Sequence, residues 1–241
     1  SPPRAACPTA LFFRLWSPRP LSYPVTSVAA PRVRTPLATV RTQAEVIHLQ
    51  MEKPNNRQAL RQMIRAVDES SRSAGQLLDH AMVTLRSDQL ETEEIDPTDL
   101  LRDAISRLSP TADLKDITIT LEVPEQSLRV QGDPILLQNA VRNILDNAIK
   151  YSPADTEITV RLVAGNPCRL QVCDQGRGFA AEDIARLPDR FSRGTNVEDV
   201  VGSGLGLTIV RDVAQAHGGA LEIGGNPEGG GACISLVLPS Y

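Results

Sequence analysis

No stretch of this 241-residue chain limits its fold more than residues 133–151. Apolar residues recur there at steps of three and four, which predicts an amphipathic helix with one buried face. Asn139, Asn143 and Asn147 form a second, polar stripe, although asparagine is a poor helix former. A carboxamide oxygen can bind a hard cation such as Mg²⁺, and Lys150, one turn further on, can neutralise phosphate oxygens. Taken alone, the stripe is more typical of the solvated face of a surface helix.

Three motifs that follow this run reverse that preference. They are Asp-Gln-Gly-Arg-Gly-Phe at 174–179, Asp-Arg-Phe-Ser-Arg-Gly at 189–194 and Gly-Ser-Gly-Leu-Gly-Leu at 202–207. In this order and spacing the set resembles the ATP-binding domain of sensor histidine kinases, which gyrase, the 90-kilodalton heat-shock chaperones and the mismatch-repair ATPases share. The resemblance covers roughly residues 95–241 and, more weakly, 34–90. Four ordered motifs are far more specific than one glycine pair.

The first of these motifs begins where a predicted strand ends. An ionised carboxylate only accepts hydrogen bonds, so Asp174 suits the exocyclic amine of adenine. The resemblance assigns Asp174 this role and places Gly176 and Gly178 where the backbone approaches the base and turns away from it. Outside the set, an Asp-x-Gly turn after a strand is common in any protein.

The last motif opens a predicted helix at 205–217. Glycines at a helix start expose backbone N–H groups, and the helix dipole favours phosphate there. The resemblance implies that Gly202, Gly204, Leu205 and Gly206 contact ATP. The chain lacks the Gly-Lys-Ser/Thr of a Walker phosphate loop and the Gly-x-Gly-x-x-Gly dinucleotide spacing, which weighs against the two common alternative nucleotide folds.

The resemblance also implies a Mg²⁺ ion that neutralises charge on the triphosphate as a Lewis acid. Asn147 matches the family's Mg²⁺ ligand, and Asn143 supports it. Lys150 and Tyr151 are placed near the phosphates. ATP and Mg²⁺ are therefore the expected cofactors.

A mobile lid over the nucleotide is implied for residues 180–201. Within it, Phe191 matches the phenylalanine-bearing segment of the family. Arg193 is a candidate phosphate contact.

A helical hairpin is predicted for residues 33–90, before the ATP-binding domain. Two heptad seams are separated by Pro54-Asn55-Asn56, which predicts two helices joined by a short turn. The seams consist of Leu37, Val40, Ala44, Ile47 and Met51, then Leu60, Ile64, Val67, Ser71, Ala74, Leu78, Ala81 and Leu85. The second seam is narrow, so a dimeric four-helix bundle, which buries far more, favours a homodimer. The alternative is a monomeric hairpin packed on the second domain.

The expected fold class is α+β, with the hairpin followed by a two-layer α/β sandwich of the gyrase, chaperone and histidine kinase type over residues 95–241. Alternating apolar residues predict the strands, and an acidic, proline-bearing junction at 90–99 marks the boundary. The predicted elements are helices at 98–108, 133–151 and 205–217 and strands at 117–123, 128–131, 157–163, 169–173, 220–223 and 232–238.

The hairpin departs from the family at its phosphoacceptor. The Arg-Thr-Pro-Leu that follows the acceptor histidine in the family is intact at residues 34–37, but Pro31 takes the histidine position and Arg32 the acid position. Proline has no nucleophile, and arginine cannot act as a general base. The chain is therefore a pseudokinase without its own acceptor, or residues 1–32 are a misread coding frame. The proline-rich, acid-free composition of residues 1–32 fits either a misread frame or a disordered segment.

None of the three histidines matches the acceptor motif, although phosphorylation of His48 or His80 is an alternative that the sequence leaves open. His48 and His80 lack the flanking acid and Thr-Pro, and are interpreted as surface or seam residues. His217 precedes two glycines and is interpreted as a structural residue at a helix end.

Composition excludes several other classes of protein. A net charge of −4 argues against a general nucleic-acid binder. No apolar run approaches the ~20 residues of a membrane span, so we expect a cytoplasmic location, although relatives are often membrane-anchored. The four cysteines lack metal-ligand spacing and are expected to be reduced thiols.

The resemblance implies a phosphorelay. In an intact relative, the γ-phosphoryl group of ATP passes to a histidine on the hairpin and then to an aspartate of a response regulator. Two rivals are an ATP-binding interaction scaffold and a stand-alone ATPase, which the heptad hairpin disfavours.

Overall fold

A computed structural model describes residues 38–44, 47, 54–87, 89–180, 183–184, 186–188 and 204–240. Several predictions lie outside these residues. They concern the segment 1–37 with Pro31 and Arg32, His48, and the lid motif with Phe191, Arg193 and Gly202.

Two helices form the N-terminal part of the described chain. Helix α1 is described over residues 38–44, and helix α2 spans Pro54–Ser87. An ion pair between Arg41 and Asp68, with 3.3 Å between the charged atoms, joins α1 to α2. Pro54 does not lie in the turn, as the sequence suggested, but begins α2, because the first helical position needs no N–H donor.

Within the described residues, the main sheet consists of five strands: β2 (Thr118–Glu122), β4 (Glu157–Val163), β5 (Cys168–Cys173), β6 (Ala220–Gly225) and β7 (Ala232–Leu238). Their order in the sheet is β2-β4-β5-β7-β6. Strands β2 and β4 are parallel, and the other neighbours are antiparallel. A separate antiparallel pair joins β1 (Glu93–Ile95) to β3 (Val130–Gly132). The sequence missed β1, which lies in the acidic junction.

In the part of the chain that the structure describes, three helices form the layer that packs on this sheet: α3 (Pro97–Asp113), α4 (Pro134–Tyr151) and α5 (Gly206–Ala216). Apolar side chains of α4 and of the strands meet in one core, in which Leu136, Ile144, Leu145, Ile158, Leu170 and Leu236 are almost fully buried. The predicted two-layer sandwich is therefore confirmed. Helix α3 is longer than predicted, since it continues through Pro110 in its last turn.

The other face of the sheet is mostly polar, with pairs such as Arg169–Glu222 and Gln171–Ser235. Cys173 and Cys233 lie opposite each other in β5 and β7, and their sulfur atoms are bonded, so the expectation of reduced thiols is wrong for this pair. Cys168 is a buried free thiol. In the described part of the chain, no helix combines the length and the apolarity required to cross a bilayer.

Candidate functional site

Helix α4 carries the polar stripe, and its start is fixed locally. Asp133 precedes the helix, and its Oδ1 accepts hydrogen bonds from the N–H groups of Ile135 and Leu136, at 3.0 and 3.1 Å. The stripe itself is not a solvated surface. Asn143 is only 8% exposed, and its Nδ2 donates to the carbonyl oxygen of Asn139 at 2.8 Å. This bond uses Nδ2 of Asn143, and the side-chain Oδ1 lies on the side of Gly206.

The stripe meets the start of helix α5. A Cβ atom added to Gly206 would lie 3.2 Å from Nδ2 of Asn147 and 3.4 Å from Oδ1 of Asn143. Gly204, two residues earlier, has a φ of +71°, which favours glycine. Leu205, the N-cap residue of α5, forms no capping hydrogen bond through its side chain. The first-turn N–H groups lie at the positive end of the helix dipole, where an anionic ligand is favoured, and beside two carboxamides.

Asp174 lies at the end of strand β5 and is 5% exposed. Its backbone N–H donates to the carbonyl oxygen of Ala232 at 2.8 Å. Its Oδ1 accepts from the N–H groups of Gly176 and Ala232, at 2.8 and 3.1 Å. Burial raises the pKa of this carboxyl, against the opposing effect of these two bonds. Because both bonds fall on Oδ1, Oδ2 is the oxygen suited to a ligand.

The loop after β5 connects Asp174 to the end of helix α4. A Cβ at Gly176 would lie 2.7 Å from the carbonyl oxygen of Tyr151 and 2.9 Å from Oδ1 of Asp174, so no other residue fits without displacement of the backbone. Gly178 has a φ of +66° and packs against Gly231 in the turn between β6 and β7. The acidic strand end therefore lies one helical turn from Asn147.

Lys150 and Tyr151 lie in the last turn of α4. The Nζ of Lys150 is 4.9 Å from the centroid of the Tyr151 ring, which is a cation–π distance. Among the described site residues, the structure thus places Asn143, Asn147 and Gly206 together at one point and Tyr151, Asp174 and Gly176 together at the next. Gly204 and Leu205 directly precede Gly206 in the chain. Gly178 packs against Gly231, which lies beside the backbone of Asp174.

Lys115 is a site-supporting residue that sequence reasoning missed. Its Nζ donates to the carbonyl oxygens of Ile149, Lys150 and Ser152, at 2.8, 3.1 and 3.0 Å. These are the carbonyls that a helix leaves unpaired at its end. Desolvation lowers the pKa of Lys115. These hydrogen bonds join residues 34 to 37 positions apart, so a local sequence pattern cannot predict them.

We expect Lys115→Met to lower the melting temperature by several degrees, because a hydrogen bond to a charged group contributes about 1.5–3 kcal/mol to stability. Thermal unfolding followed by circular dichroism measures this shift. Arg107→Met, which removes an exposed ion pair with Asp103, is the control and should cause no measurable shift. Equal melting temperatures for the Lys115→Met variant and the wild type would contradict the capping role.

No group of three or more His, Cys, Asp or Glu side chains in the described residues could hold a metal ion. A cation at this site would instead take the amide oxygen of Asn147 together with oxygens of a ligand and water. That oxygen-only shell is one that Mg²⁺ accepts.

Residues 132–241 match the family described as histidine kinase-, DNA gyrase B- and HSP90-like ATPases. The sensor protein QseC of Escherichia coli K12 is 36% identical over 206 residues, which is 85% of this chain and 45% of QseC. The solved structure of the mycobacterial sensor histidine kinase MprB is 34% identical, with a TM-score of 0.55 over 62% of this chain and 97% of that one.

The chain belongs to the sensor histidine kinase family. Another solved neighbour, full-length ShkA in complex with AMPPNP, has 26% identity and a TM-score of 0.66, covering 90% of this chain and 45% of that one. The chain spans about half the length of the curated relatives that it matches. Nucleotide binding is supported by the match of residues 132–241 to the ATPase family.

In this member of the family, helix α2 packs on the ATPase domain. Arg142 of α4 pairs with Asp79 of α2. His80 of α2 lies near Asp212 of α5, with 3.6 Å between Nε2 and Oδ2, which is too long for a hydrogen bond. The His80 side chain is only 15% exposed, so it is not a surface residue in this arrangement. His217 ends α5, as predicted.

Proposed function

We propose that this chain is the kinase core of a two-component sensor histidine kinase and binds Mg-ATP at the junction of α4, α5 and the loop after β5. One observation carries the proposal. Gly206 lies against Asn147 and Asn143, while Gly176 lies between Asp174 and Tyr151, so three separate motifs meet along one face of a single helix.

Each end of the site suits a different part of ATP. Oδ2 of Asp174 would accept a hydrogen bond from the exocyclic amine of adenine, since a carboxylate is an acceptor only. The first-turn N–H groups of α5 and the ammonium of Lys150 would hold the phosphates. Asn147 would hold Mg²⁺, with Asn143 behind it, and the ion when bound neutralises phosphate charge. Phe191, Arg193 and Gly202 belong to the same proposal from the sequence alone.

In the whole protein, we propose that the γ-phosphoryl group passes to a hairpin histidine and then to an aspartate of a response regulator. Positioning and charge neutralisation account for most of the rate in phosphoryl transfer. Residues 33–90 form the dimerisation hairpin in this proposal, and residues 95–241 the ATP-binding domain.

The occupant of the acceptor position supports a second candidate function. Pro31 and Arg32 stand where the family has the histidine and the acid, so this chain would bind ATP without phosphorylating itself. An ATP-binding pseudokinase that pairs with a complete kinase fits that substitution. A misread frame over residues 1–32 fits it too. Sequencing the coding DNA separates the two, because a misread frame requires a His-acid-hydrophobic triplet in the neighbouring frame.

Incubation of the purified chain with γ-labelled ATP separates the candidate activities. Label retained on the protein indicates a kinase, and released labelled phosphate indicates an ATPase. Saturable binding without either of these results indicates a scaffold. We expect saturable, Mg²⁺-dependent binding without label on this chain. Absence of binding by a folded protein would overturn the proposed site.

We also propose a homodimer formed through the hairpin. Met63, Leu77 and Leu85 of α2 are 64%, 55% and 56% exposed in the single chain. At about 100° per residue they fall within an arc of about 80°, so they form one apolar stripe. A stripe of this kind favours burial against a second hairpin.

Leu77→Glu combined with Leu85→Glu should convert the dimer to a monomer, because it places four charges in a two-fold interface. Light scattering after size-exclusion chromatography measures the mass. Leu114→Glu is a matched control, since Leu114 is 87% exposed but lies outside α2. A wild-type monomer, or a double variant that remains dimeric, would contradict this interface.

A further inference from the structure

The two helices that carry the nucleotide site are joined again at their far ends. The backbone N–H of Asp133, before α4, donates to Nε2 of His217, after α5, at 2.9 Å. The other ring nitrogen, Nδ1, lies 2.8 Å from the carbonyl oxygen of Val213. A carbonyl only accepts, so Nδ1 carries the proton and Nε2 is the acceptor. The two bonds therefore fix one neutral tautomer of His217.

The same aspartate holds a third helix. Its Oδ1 caps α4, and its Oδ2 accepts from Nε of Arg86 at 2.8 Å. Arg86 lies in the last turn of α2, and a second bond at 3.0 Å joins its Nη2 to Glu91. Asp133 is fully buried and Arg86 is 6% exposed. A buried pair of this kind is weak evidence for stability, because desolvation costs offset the attraction, but it fixes geometry.

Helical geometry connects this junction to the nucleotide site. At about 1.5 Å per residue, Asn143 lies about 15 Å and Asn147 about 21 Å along α4 from Asp133. Gly206 lies about 16 Å along α5 from His217. The two helices therefore run antiparallel, and Gly206 falls between the levels of the two asparagines, as its contacts with both confirm. A shift at the Asp133–His217 end would move Gly206 along the carboxamide stripe.

We propose that Asp133 and His217 are positioning residues that set the axial register of α4 against α5, and that Arg86 joins this register to the hairpin. The inference rests on the proposed nucleotide site. Neither residue belongs to the proposed nucleotide site. Helix α2 also meets α4 at Asp79–Arg142, about two turns from Arg86, so movement of the hairpin would be transmitted to the register.

Two substitutions at His217 test the register. His217→Leu removes the acceptor for the Asp133 N–H, and we expect at least a tenfold loss of affinity for a non-hydrolysable ATP analogue with Mg²⁺. His217→Gln retains an oxygen that can accept that bond, and its affinity should stay within about threefold of the wild type. Calorimetry on protein shown to be folded by circular dichroism gives the affinities. Arg129→Gln, which removes one positive charge from a half-exposed side chain, is the control for the Arg86 variants described next.

A purely structural role predicts a different result. The His217→Leu variant would then melt at a lower temperature but bind the analogue as tightly as the wild type, which would overturn the register proposal alone. If His217→Leu does not fold, Arg86→Gln and Arg86→Lys decide, with a several-fold loss in the first and recovery in the second expected. If Arg86→Gln and Arg86→Lys bound the analogue with the same affinity, the proposal would be overturned. Folded wild-type protein that binds no ATP would overturn the proposed function, and this inference with it.

Discussion

Asp174→Asn is expected to lower the affinity for Mg-ATP by about 10- to 100-fold, since a hydrogen bond to a charged group contributes about 1.5–3 kcal/mol. The variant keeps an oxygen for the bonds from Gly176 and Ala232. It replaces the second oxygen with an amino group, which cannot accept from the adenine amine. Calorimetric titration with a non-hydrolysable analogue measures the change.

The choice between bases provides the matched control for this substitution. Guanine has an acceptor oxygen where adenine has its amine donor. The amino group introduced by Asp174→Asn can donate to that oxygen, so affinity for a GTP analogue should not fall and the preference for ATP should decrease. Equal losses for the two nucleotides would indicate general damage to the site. Unchanged affinity for both would remove Asp174 from the adenine site.

The same substitution should stabilise the nucleotide-free protein at pH 7. Burial raises the pKa of the Asp174 carboxyl above its ordinary value of 3.8, so the folded state binds this proton more tightly than the unfolded chain. Stability therefore falls as pH rises from 3.8 through the raised pKa, and above that window the ionised carboxylate costs stability. The variant should melt above the wild type at pH 7, and the gap should narrow as pH falls toward 3.8. A lower melting temperature at pH 7 would indicate that the two hydrogen bonds outweigh the burial.

Local pattern was sufficient for the parts of the site that lie on regular elements. The apolar period over residues 133–151 predicted α4, which in the structure begins at Pro134 after its N-cap residue Asp133. The alternation before Asp174 predicted β5, so the carboxylate was correctly placed at a strand end. The glycines at 204 and 206 predicted the start of α5. These predictions succeed because period and capping depend on neighbours in sequence.

Contacts between distant residues were beyond that reach. Three such contacts join residues 34 to 84 positions apart in the sequence. They are the bonds of Lys115 to the end of α4, of Asp133 to His217 and of Arg86 to Asp133. Each involves a residue whose local role looked ordinary. Strand β1 was missed for a related reason, because three residues in an acidic stretch become a strand only through pairing with β3. Tertiary context decides such cases.

Asn147→Asp is expected to weaken the binding of Mg-ATP by about tenfold or more. The substitution removes the Nδ2 donor and adds a negative charge beside the start of α5, where the phosphates are proposed to lie. Two like charges about 4 Å apart repel by about 4 kcal/mol at an effective dielectric constant of 20, and a bound cation offsets only part of this. The measurement is the dissociation constant of a non-hydrolysable analogue at fixed ionic strength.

Asn139→Asp is the matched control, because it makes the same chemical change on the same stripe two turns nearer the start of α4. The carbonyl oxygen that Asn139 offers to Asn143 belongs to the backbone and survives the change. Its affinity should stay near that of the wild type. Titration with Mg²⁺ then separates the two roles proposed for Asn147. If Asn147 binds the metal, Asn147→Asp must change the Mg²⁺ concentration at which half of the nucleotide binds; if it acts on phosphate alone, affinity falls with that concentration unchanged. Equal behaviour of the two aspartate variants would show that Asn147 contacts neither.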